Sequence, residues 1–144
     1  MPAGKSPRIA FLVAEFHRSL VDAMLFFAAN EAKELGLRVV RTIRVPGSYE
    51  TPLVAKRLLS RRDVDALVVL GFIERGETLH GEVMGHVVHR ALVEASLQFD
   101  KPVGLGLIGP GATKKQADTR RKASARAAVR AVARSLEALA EASG

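Results

Sequence analysis

Residues 66–71 read Ala-Leu-Val-Val-Leu-Gly, a continuous apolar run that lacks the alternation of a half-exposed strand. A run of this length that is apolar on both faces predicts a strand with helices on either side of its sheet. Residues 8–14 form a second such run after a single charged residue. Two strands of this kind indicate a parallel sheet at the centre of the molecule.

The rest of the chain alternates between helical and extended patterns around these two strands. Apolar residues at helical spacing predict the helices, and β-branched or apolar runs predict the remaining strands. In chain order we expect strands at 8–14, 37–45, 66–71 and 101–107, and helices at 19–35, 51–61, 82–99 and 113–140. Regular alternation predicts right-handed crossovers and therefore a flavodoxin-like three-layer α/β/α fold with a four-stranded parallel sheet.

Two of the predicted helices carry signals at one end. Gly36 follows helix 19–35 and fits the C′ position, where a left-handed conformation closes a helix. Thr51 followed by Pro52 predicts the start of the next helix, with the hydroxyl as N-cap and proline in the first turn.

The length and composition are those of one globular domain. The chain has 144 residues, of which 48% are hydrophobic and 26% charged, so we expect a single domain at 8–144 after a flexible tail at 1–7. The absence of cysteine excludes disulfides, thiol catalysis and zinc–thiolate sites. Its apolar runs are far shorter than the ~20 residues that span a membrane. No export signal is visible, so we expect a cytoplasmic protein without a membrane partner.

The net charge of +7 belongs to one element of the chain. Residues 114–134 contain eight basic and one acidic side chain, whereas the remainder contains fourteen of each. Within this segment Arg126, Arg130 and Arg134 form a helical stripe that could contact nucleic acid. No aromatic residues interleave to stack on bases, so we expect a solvated face or a subunit contact and no nucleic-acid partner.

Aromatic residues are concentrated where the predicted strands end, which is where open parallel sheets bind ligands. Phe16, Tyr49 and Phe72, three of the seven aromatic residues, each follow a predicted strand, with glutamates close by. Aromatic rings beside carboxylates suit a planar ligand that forms hydrogen bonds. The alternative is that the rings only plug the open end of the sheet.

The segment after the third strand contains the densest cluster of polar groups. Gly76-Glu77-Thr78 at a strand-to-helix turn offers backbone N–H groups and a hydroxyl, which favour an anion site at the helix N-terminus. His80 is close enough to reach the same ligand and suits proton transfer near neutral pH. Arg120 is a candidate for clamping an anion, although its spacing does not distinguish it from neighbouring basic residues. Alternatively, Thr78 only caps the helix and His80 is a surface histidine.

Two further patterns are less specific. Residues 104–109 match the dinucleotide-binding fingerprint in letters, but they fall inside a predicted strand and no helix begins directly after them. Glu82, His86 and His89 share one helical face at a spacing that suits a metal ion, but the pattern supplies no further ligand. We therefore expect neither a dinucleotide nor a metal.

Taken together, the motifs at the strand ends resemble the 6,7-dimethyl-8-ribityllumazine synthase family, in particular its short archaeal-type members. The resemblance covers nearly the whole chain, from about residue 8 to about residue 139. The matching segments are Val-Ala-Glu-Phe at 13–16, Val-Pro-Gly-Ser-Tyr-Glu-Thr-Pro at 45–52, Gly-Glu-Thr-Leu-His at 76–80, Lys-Pro-Val at 101–103, Gly-Pro-Gly-Ala-Thr at 109–113 and Gln-Ala-Asp-Thr-Arg at 116–120.

The resemblance implies the penultimate reaction of riboflavin biosynthesis. An enzyme of this family joins 5-amino-6-(D-ribitylamino)uracil to 3,4-dihydroxy-2-butanone 4-phosphate, with release of phosphate and water and without a metal or organic cofactor. The resemblance also implies homopentamers with active sites between subunits, and in some members twelve pentamers form a 60-subunit cage.

The resemblance further implies roles for individual residues. Phe16 matches the ring that stacks on the heterocycle, and His80 matches the histidine that moves protons. Glu77 and Thr78 match the turn that holds the phosphate, with Arg120 as its cationic partner. The other matching positions line the ribityl chain and the heterocycle, and the last of them comes from the neighbouring subunit: Ser48, Tyr49, Glu50, Phe72, Ile73, Glu74 and Leu105.

Three positions depart from the family pattern. His17 stands where asparagine is common, and Glu74 stands where an aliphatic residue is common. The lysine that many members have beyond the clamp arginine has no clear equivalent: position 125 is alanine, and Lys122 and Arg126 are the candidate substitutes. Glu74 and the missing lysine keep open a non-enzymatic flavin-binding or shell protein of the same fold. A second alternative is archaeal-type riboflavin synthase, which dismutates lumazine, and the segment at 76–80 argues against it.

Overall fold

The computed structural model describes residues 5–144, so residues 1–4 of the expected tail lie outside the described part of the chain. Within that part, four strands alternate with four α-helices. The strands are β1 (Arg8–Ala14), β2 (Arg38–Val45), β3 (Ala66–Glu74) and β4 (Val103–Ala112). The helices are α1 (Arg18–Glu34), α2 (Thr51–Leu59), α3 (His80–Phe99) and α4 (Lys114–Ser143), and a short 3-10 helix covers Ser48–Glu50. None of the described helices combines the length and the apolar character needed to cross a membrane.

The strands form one parallel sheet in the order β2-β1-β3-β4. Across its middle, Leu12 pairs with Ile43 on one side and with Val69 on the other, and Val69 pairs with Leu105. The chain moves outward from β1 to β2 and then returns past β1 to β3. This order places the switch point of the sheet between β1 and β3, and sheets of this type bind ligands beyond the carboxyl ends of such strands.

The core has two parts, one on each face of the sheet, because successive residues of a strand point to opposite faces. In β1, Phe11 and Val13 pack with α1 and α4, whereas Ala10 and Leu12 pack with α2 and α3. All four side chains are buried, which explains why the strand is apolar from Ile9 to Ala14. These layers confirm the predicted flavodoxin-like three-layer α/β/α fold.

Two glycines of β4 allow α4 to approach the sheet closely. A Cβ at Gly104 would overlap the backbone carbonyl of Ala128 in α4. One at Gly106 would lie 3.2 Å from Cβ of Ala128 and 2.7 Å from Cδ2 of Leu70 in β3. These glycines therefore serve the close packing of β4 against α4 and β3, which accounts for two of the three glycines that match the dinucleotide fingerprint in letters.

The structure corrects several predicted boundaries. β3 continues to Glu74 and β4 to Ala112, because Glu74 pairs with Ala112 beyond the apolar part of each strand. Helix α3 begins at His80 rather than at residue 82. The predicted N-cap role of Thr51 is wrong, since Thr51 is the first residue of α2 and its hydroxyl donates to the carbonyl of Ser48 at 2.6 Å. The 3-10 helix leads directly into α2. The residue before α2, Glu50, therefore has a helical rather than an extended backbone, and its side chain does not cap α2.

The end of α1 follows its sequence signal, and the start of α4 carries a cap that was not predicted. Gly36 has φ of 73°, and its N–H donates to the carbonyl of Lys33, while the N–H of Leu37 donates to Ala32. These two bonds form the expected glycine-based helix end after α1. Thr113 caps α4 reciprocally with Gln116, because each side chain accepts a hydrogen bond from the backbone N–H of the other.

Part of the basic stripe on α4 binds a buried carboxylate. Glu31 of α1 is 4% exposed, and it accepts hydrogen bonds from Nε of Arg130 at 2.7 Å and from Nε of Arg126 at 2.8 Å. The bond from Arg130, together with that from Arg126, holds the pKa of Glu31 below its usual value, although burial acts in the opposite direction. For these two arginines the stripe is therefore an intramolecular contact rather than a free surface.

Candidate active site

A cavity of about 360 Å³ lies beyond the carboxyl ends of β1 and β3, at the switch point of the sheet. Six of the predicted site residues line it: Phe16, Phe72, Ile73, Glu74, Thr78 and His80. Five further residues complete the lining: His17, Gly47, Gly76, Gly81 and Met84. Of these, only Gly76 belongs to a segment predicted to contact ligand. The fold therefore brings residues from the loops after β1 and β2, the end of β3, the turn after β3 and the start of α3 around one space.

The floor of the cavity and its open side carry aromatic rings of different burial. Phe72 is 3% exposed and belongs to the core beneath the cavity, whereas Phe16 is 70% exposed beside it. The ring of His17 lies between them, 4.8 Å from Phe16 and 4.7 Å from Phe72 between ring centroids. Because Phe16 is exposed, its ring is available to a planar ligand in a way that the ring of Phe72 is not.

Backbone hydrogen bonds fix where Phe16 leaves the sheet. The N–H of Glu15 donates to the carbonyl of Val45, and the N–H of Phe16 donates to the carbonyl of Pro46. The chain thus stays paired with the end of β2 for two residues after β1 ends. This pairing places Phe16 next to Gly47, which also lines the cavity.

Residues 48–50, which follow Gly47, lie at the edge of the cavity rather than in its lining. Ser48 is buried, Tyr49 is half-exposed, and Glu50 is exposed at the end of the 3-10 helix. The ring of Tyr49 lies 6.0 Å from the ring of His80 between centroids. Because His80 lines the cavity, Tyr49 adjoins the cavity through this histidine. The structure places the three predicted residues near the site without direct exposure to the cavity.

A second cavity of about 320 Å³ adjoins the first at the turn between β3 and α3. Glu74, Gly76, Thr78 and Gly81 line both spaces. Glu77, predicted to hold an anion, lines the second cavity only. Within the turn, the hydroxyl of Thr78 accepts a hydrogen bond from the N–H of His80 at 3.3 Å, so Thr78 supports the first turn of α3 as well as lining the site.

Two predicted site residues lie away from both cavities. Leu105 is 37% exposed in the middle of the edge strand β4, where it pairs with Val69. Arg120 is exposed in α4 and lines neither cavity. In a single chain these two side chains are therefore not brought together with the other predicted residues.

Two of the additional lining residues had detectable signals in the sequence. His17 directly follows Phe16 at the end of β1, and Met84 follows His80 by one helical turn, on the same face of α3. His17 also contacts Glu74, with 3.5 Å between Nε2 and Oε1. Two departures from the family pattern are therefore neighbours in space.

The histidines further along α3 have separate partners. Nδ1 of His89 lies 2.7 Å from the carbonyl oxygen of Gly85, and Nε2 of His86 lies 3.9 Å from Oε1 of Glu82. Among residues 5–144, no three histidine, aspartate or glutamate side chains converge in a way that could hold a metal ion.

Comparison with known proteins identifies the family. The family model for 6,7-dimethyl-8-ribityllumazine synthase matches residues 6–141. A 6,7-dimethyl-8-ribityllumazine synthase of Staphylothermus marinus is 44% identical over 127 residues, which cover 88% of this chain and 85% of the relative. A protein of the same name from Metallosphaera sedula is 46% identical, and the match covers 78% of this chain and 74% of the relative. Another from Methanocaldococcus jannaschii is 43% identical, and the match covers 92% of this chain and 96% of the relative. The chain belongs to the 6,7-dimethyl-8-ribityllumazine synthase family.

Proposed function

We propose that this chain forms 6,7-dimethyl-8-ribityllumazine from 5-amino-6-(D-ribitylamino)uracil and 3,4-dihydroxy-2-butanone 4-phosphate, and that the two adjoining cavities are its active site. The proposal rests on one observation: the first cavity, which contains the aromatic rings, and the second cavity, at the turn before α3, are adjacent. They share four lining residues, Glu74, Gly76, Thr78 and Gly81. A planar ring in the first space and a phosphate in the second would thus be adjacent, as a condensation between them requires.

The first cavity has the surfaces that a ribityl-pyrimidine needs. Phe16 presents an exposed ring for stacking, while Phe72 and Ile73 form a buried, apolar base. Stacking of a nucleobase-like ring on an aromatic side chain contributes about 1–3 kcal/mol to binding. We assign the ribityl chain to the edge formed by Ser48, Tyr49 and Glu50, where backbone and carboxylate groups are available for hydroxyl groups.

The second cavity suits the phosphate of the other substrate. It lies at the amino end of α3, a helix of 20 residues whose first N–H groups and dipole favour an anion. Thr78 supplies a hydroxyl, and Glu77 belongs to the same turn. We propose that backbone N–H groups of this turn hold the phosphate, since a carboxylate such as Glu77 does not itself attract it.

His80 is the residue we assign to proton transfer. It is exposed, lines the first cavity, and adjoins the turn that we assign to the phosphate. Joining an amine to a ketone with loss of water and phosphate requires protons to be removed from nitrogen and delivered to leaving oxygen atoms. A positioned imidazole contributes about 10²–10⁴-fold to such steps, and holding the two reactants side by side contributes further.

The positions of Leu105 and Arg120 support an active site completed by another copy of the chain. Neither residue lines either of the two adjoining cavities, and both are exposed. Further exposed apolar side chains lie on α2 and α3: Leu53, Val83, Val87 and Leu97. Exposed apolar side chains that lie close together favour contacts with another protein surface. We propose a homopentamer in which Leu105 and Arg120 of one subunit contribute to the active site of the neighbouring subunit. Measuring the mass of the assembly in solution distinguishes a single pentamer from a 60-subunit cage.

The two alternative functions receive no support from the relatives. The three relatives named above carry the synthase name, and none carries that of a riboflavin synthase or a shell protein. The cytoplasmic location and the organisation of residues 8–144 as one domain stay predictions from the sequence.

The proposed reaction is tested by supplying both substrates to the purified chain and following lumazine by absorbance and fluorescence. We expect lumazine to form only when both substrates are present. Absence of product would contradict the proposal, and formation of riboflavin from added lumazine would assign the dismutase activity instead.

A further inference from the structure

His17 occupies an unusual backbone position at the base of the first cavity. Its φ of 65° lies in the left-handed region, which residues with a side chain uncommonly adopt. Its side chain is only 14% exposed and contacts the rings of Phe16 and Phe72. The site therefore fixes this imidazole in one place.

The Nε2 atom of this imidazole is buried and forms no hydrogen bond within the described chain. Buried polar atoms without a partner are rare in folded proteins. The nearest acidic atom is Oε1 of Glu74, at 3.5 Å, which is just beyond a good hydrogen bond. A small movement of either side chain closes this distance.

Glu74 is the last residue of β3 and lines both cavities. Its side chain is 44% exposed, and in residues 5–144 its only ion-pair contact is with His17. An ionised carboxylate only accepts hydrogen bonds, and it has two oxygens. One oxygen can therefore bind His17 while the other is presented to whatever occupies the cavity.

We propose that Glu74 is a specificity-determining residue, which accepts a hydrogen bond from an N–H group of the heterocycle stacked on Phe16, and that His17 is a positioning residue, which orients that carboxylate through Nε2–H. This inference rests on the proposed function. Charge-assisted hydrogen bonds are stronger than neutral ones, and a site built to accept an N–H rejects rings that lack it. The pair thus selects an amino- or imide-bearing ring over an apolar one.

The test is steady-state kinetics with both substrates for Glu74→Gln, His17→Asn and the double variant. Asparagine tolerates the left-handed conformation, so His17→Asn removes the imidazole without straining the backbone. Glu137→Gln is the matched control, because Glu137 lies on α4 and pairs only with the exposed Arg134.

We expect Glu74→Gln to raise the KM for the aminopyrimidine about tenfold. It should not raise the KM for the butanone phosphate, because Glu74 also lines the second cavity, where the loss of a negative charge favours a bound anion. His17→Asn should raise the same KM about threefold, and the double variant should be no worse than Glu74→Gln, since His17 acts only through Glu74. The control should match the wild type for both substrates.

With an active wild type, three results would overturn the inference alone. Glu74→Gln with an unchanged KM for the aminopyrimidine would remove the contact, and equal effects on both substrates would indicate a structural role. If the increase in the KM for the aminopyrimidine in the double variant equals the product of the two single increases, His17 acts independently of Glu74. A wild-type chain that forms no lumazine would overturn the proposed function as well, whereas an active wild type with an unaffected Glu74→Gln would overturn this inference alone.

Discussion

Replacing Phe16 by alanine should weaken ligand binding without unfolding the protein, whereas the same change at Phe72 should chiefly destabilise the fold. Both rings line the same cavity, but Phe16 is 70% exposed and Phe72 is 3% exposed. Removing a buried phenylalanine costs about 3–5 kcal/mol of folding free energy. Phe16 has little apolar contact to lose, so we expect Phe16→Ala to change the free energy of unfolding by less than about 0.5 kcal/mol.

The expected loss of binding follows from the exposed ring face. If the heterocycle stacks on Phe16, its removal costs about 1–3 kcal/mol, and a loss of about 2 kcal/mol weakens binding roughly thirtyfold. Phe16→Leu keeps apolar bulk without an aromatic face and should recover only part of the loss.

Fluorescence titration with 6,7-dimethyl-8-ribityllumazine measures binding, and urea denaturation at a fixed chain concentration measures stability. The reasoning is refuted if Phe16→Ala binds lumazine as tightly as the wild type, or if Phe16→Leu does. It is also refuted if Phe16→Ala is destabilised as strongly as Phe72→Ala, because the exposed ring would then serve the core.

Three further predictions concern folding, phosphate binding and assembly. Glu31→Gln should lose about 2–3 kcal/mol of stability at pH 7, because two arginines lose a buried carboxylate. Folding lowers the pKa of Glu31 from its usual 4.5. The contribution of Glu31 to the free energy of unfolding is therefore present above pH 4.5 and is lost as the pH falls through the folded-state pKa. In urea denaturation from pH 7 to pH 3, a constant difference in the free energy of unfolding between variant and wild type would contradict this. Arg120→Ala should raise the KM for the butanone phosphate about tenfold with the aminopyrimidine unaffected, and an unchanged value, equal to that of the control Arg134→Ala, would argue against the clamp. Val87→Glu should dissociate the assembly into smaller species by light scattering, and a retained mass would show that this face of α3 is not the contact.

The interior of the fold was predictable because burial on both faces leaves a direct signature. β1 and the first part of β3 are continuous apolar runs, and every one of those side chains in β3 is buried. The ends of the strands were not predictable in the same way. Glu74 belongs to β3 because it pairs with Ala112, a contact between distant parts of the chain that no local pattern encodes.

The candidate site shows the same division. Phe16 and His80 could be singled out because they stand directly at strand ends or helix starts. The contact of His17 with Glu74 could not, since it depends on β1 and β3 being neighbours in the sheet. Likewise, the predicted strand at 101–107 contains Leu105, but only the register of β4 shows that this residue lies away from the cavity of its own chain.

The most direct test of the proposed site compares lumazine formation by the wild type, His80→Ala and His86→Ala. Both histidines lie on α3, but only His80 lines the cavity, and the side chain of His86 is exposed outside it. We predict that His80→Ala lowers kcat by at least about tenfold, while assembly and lumazine binding are retained and His86→Ala keeps the wild-type rate. An unchanged kcat in His80→Ala, or an equal loss in both variants, would contradict the assignment of proton transfer to this cavity.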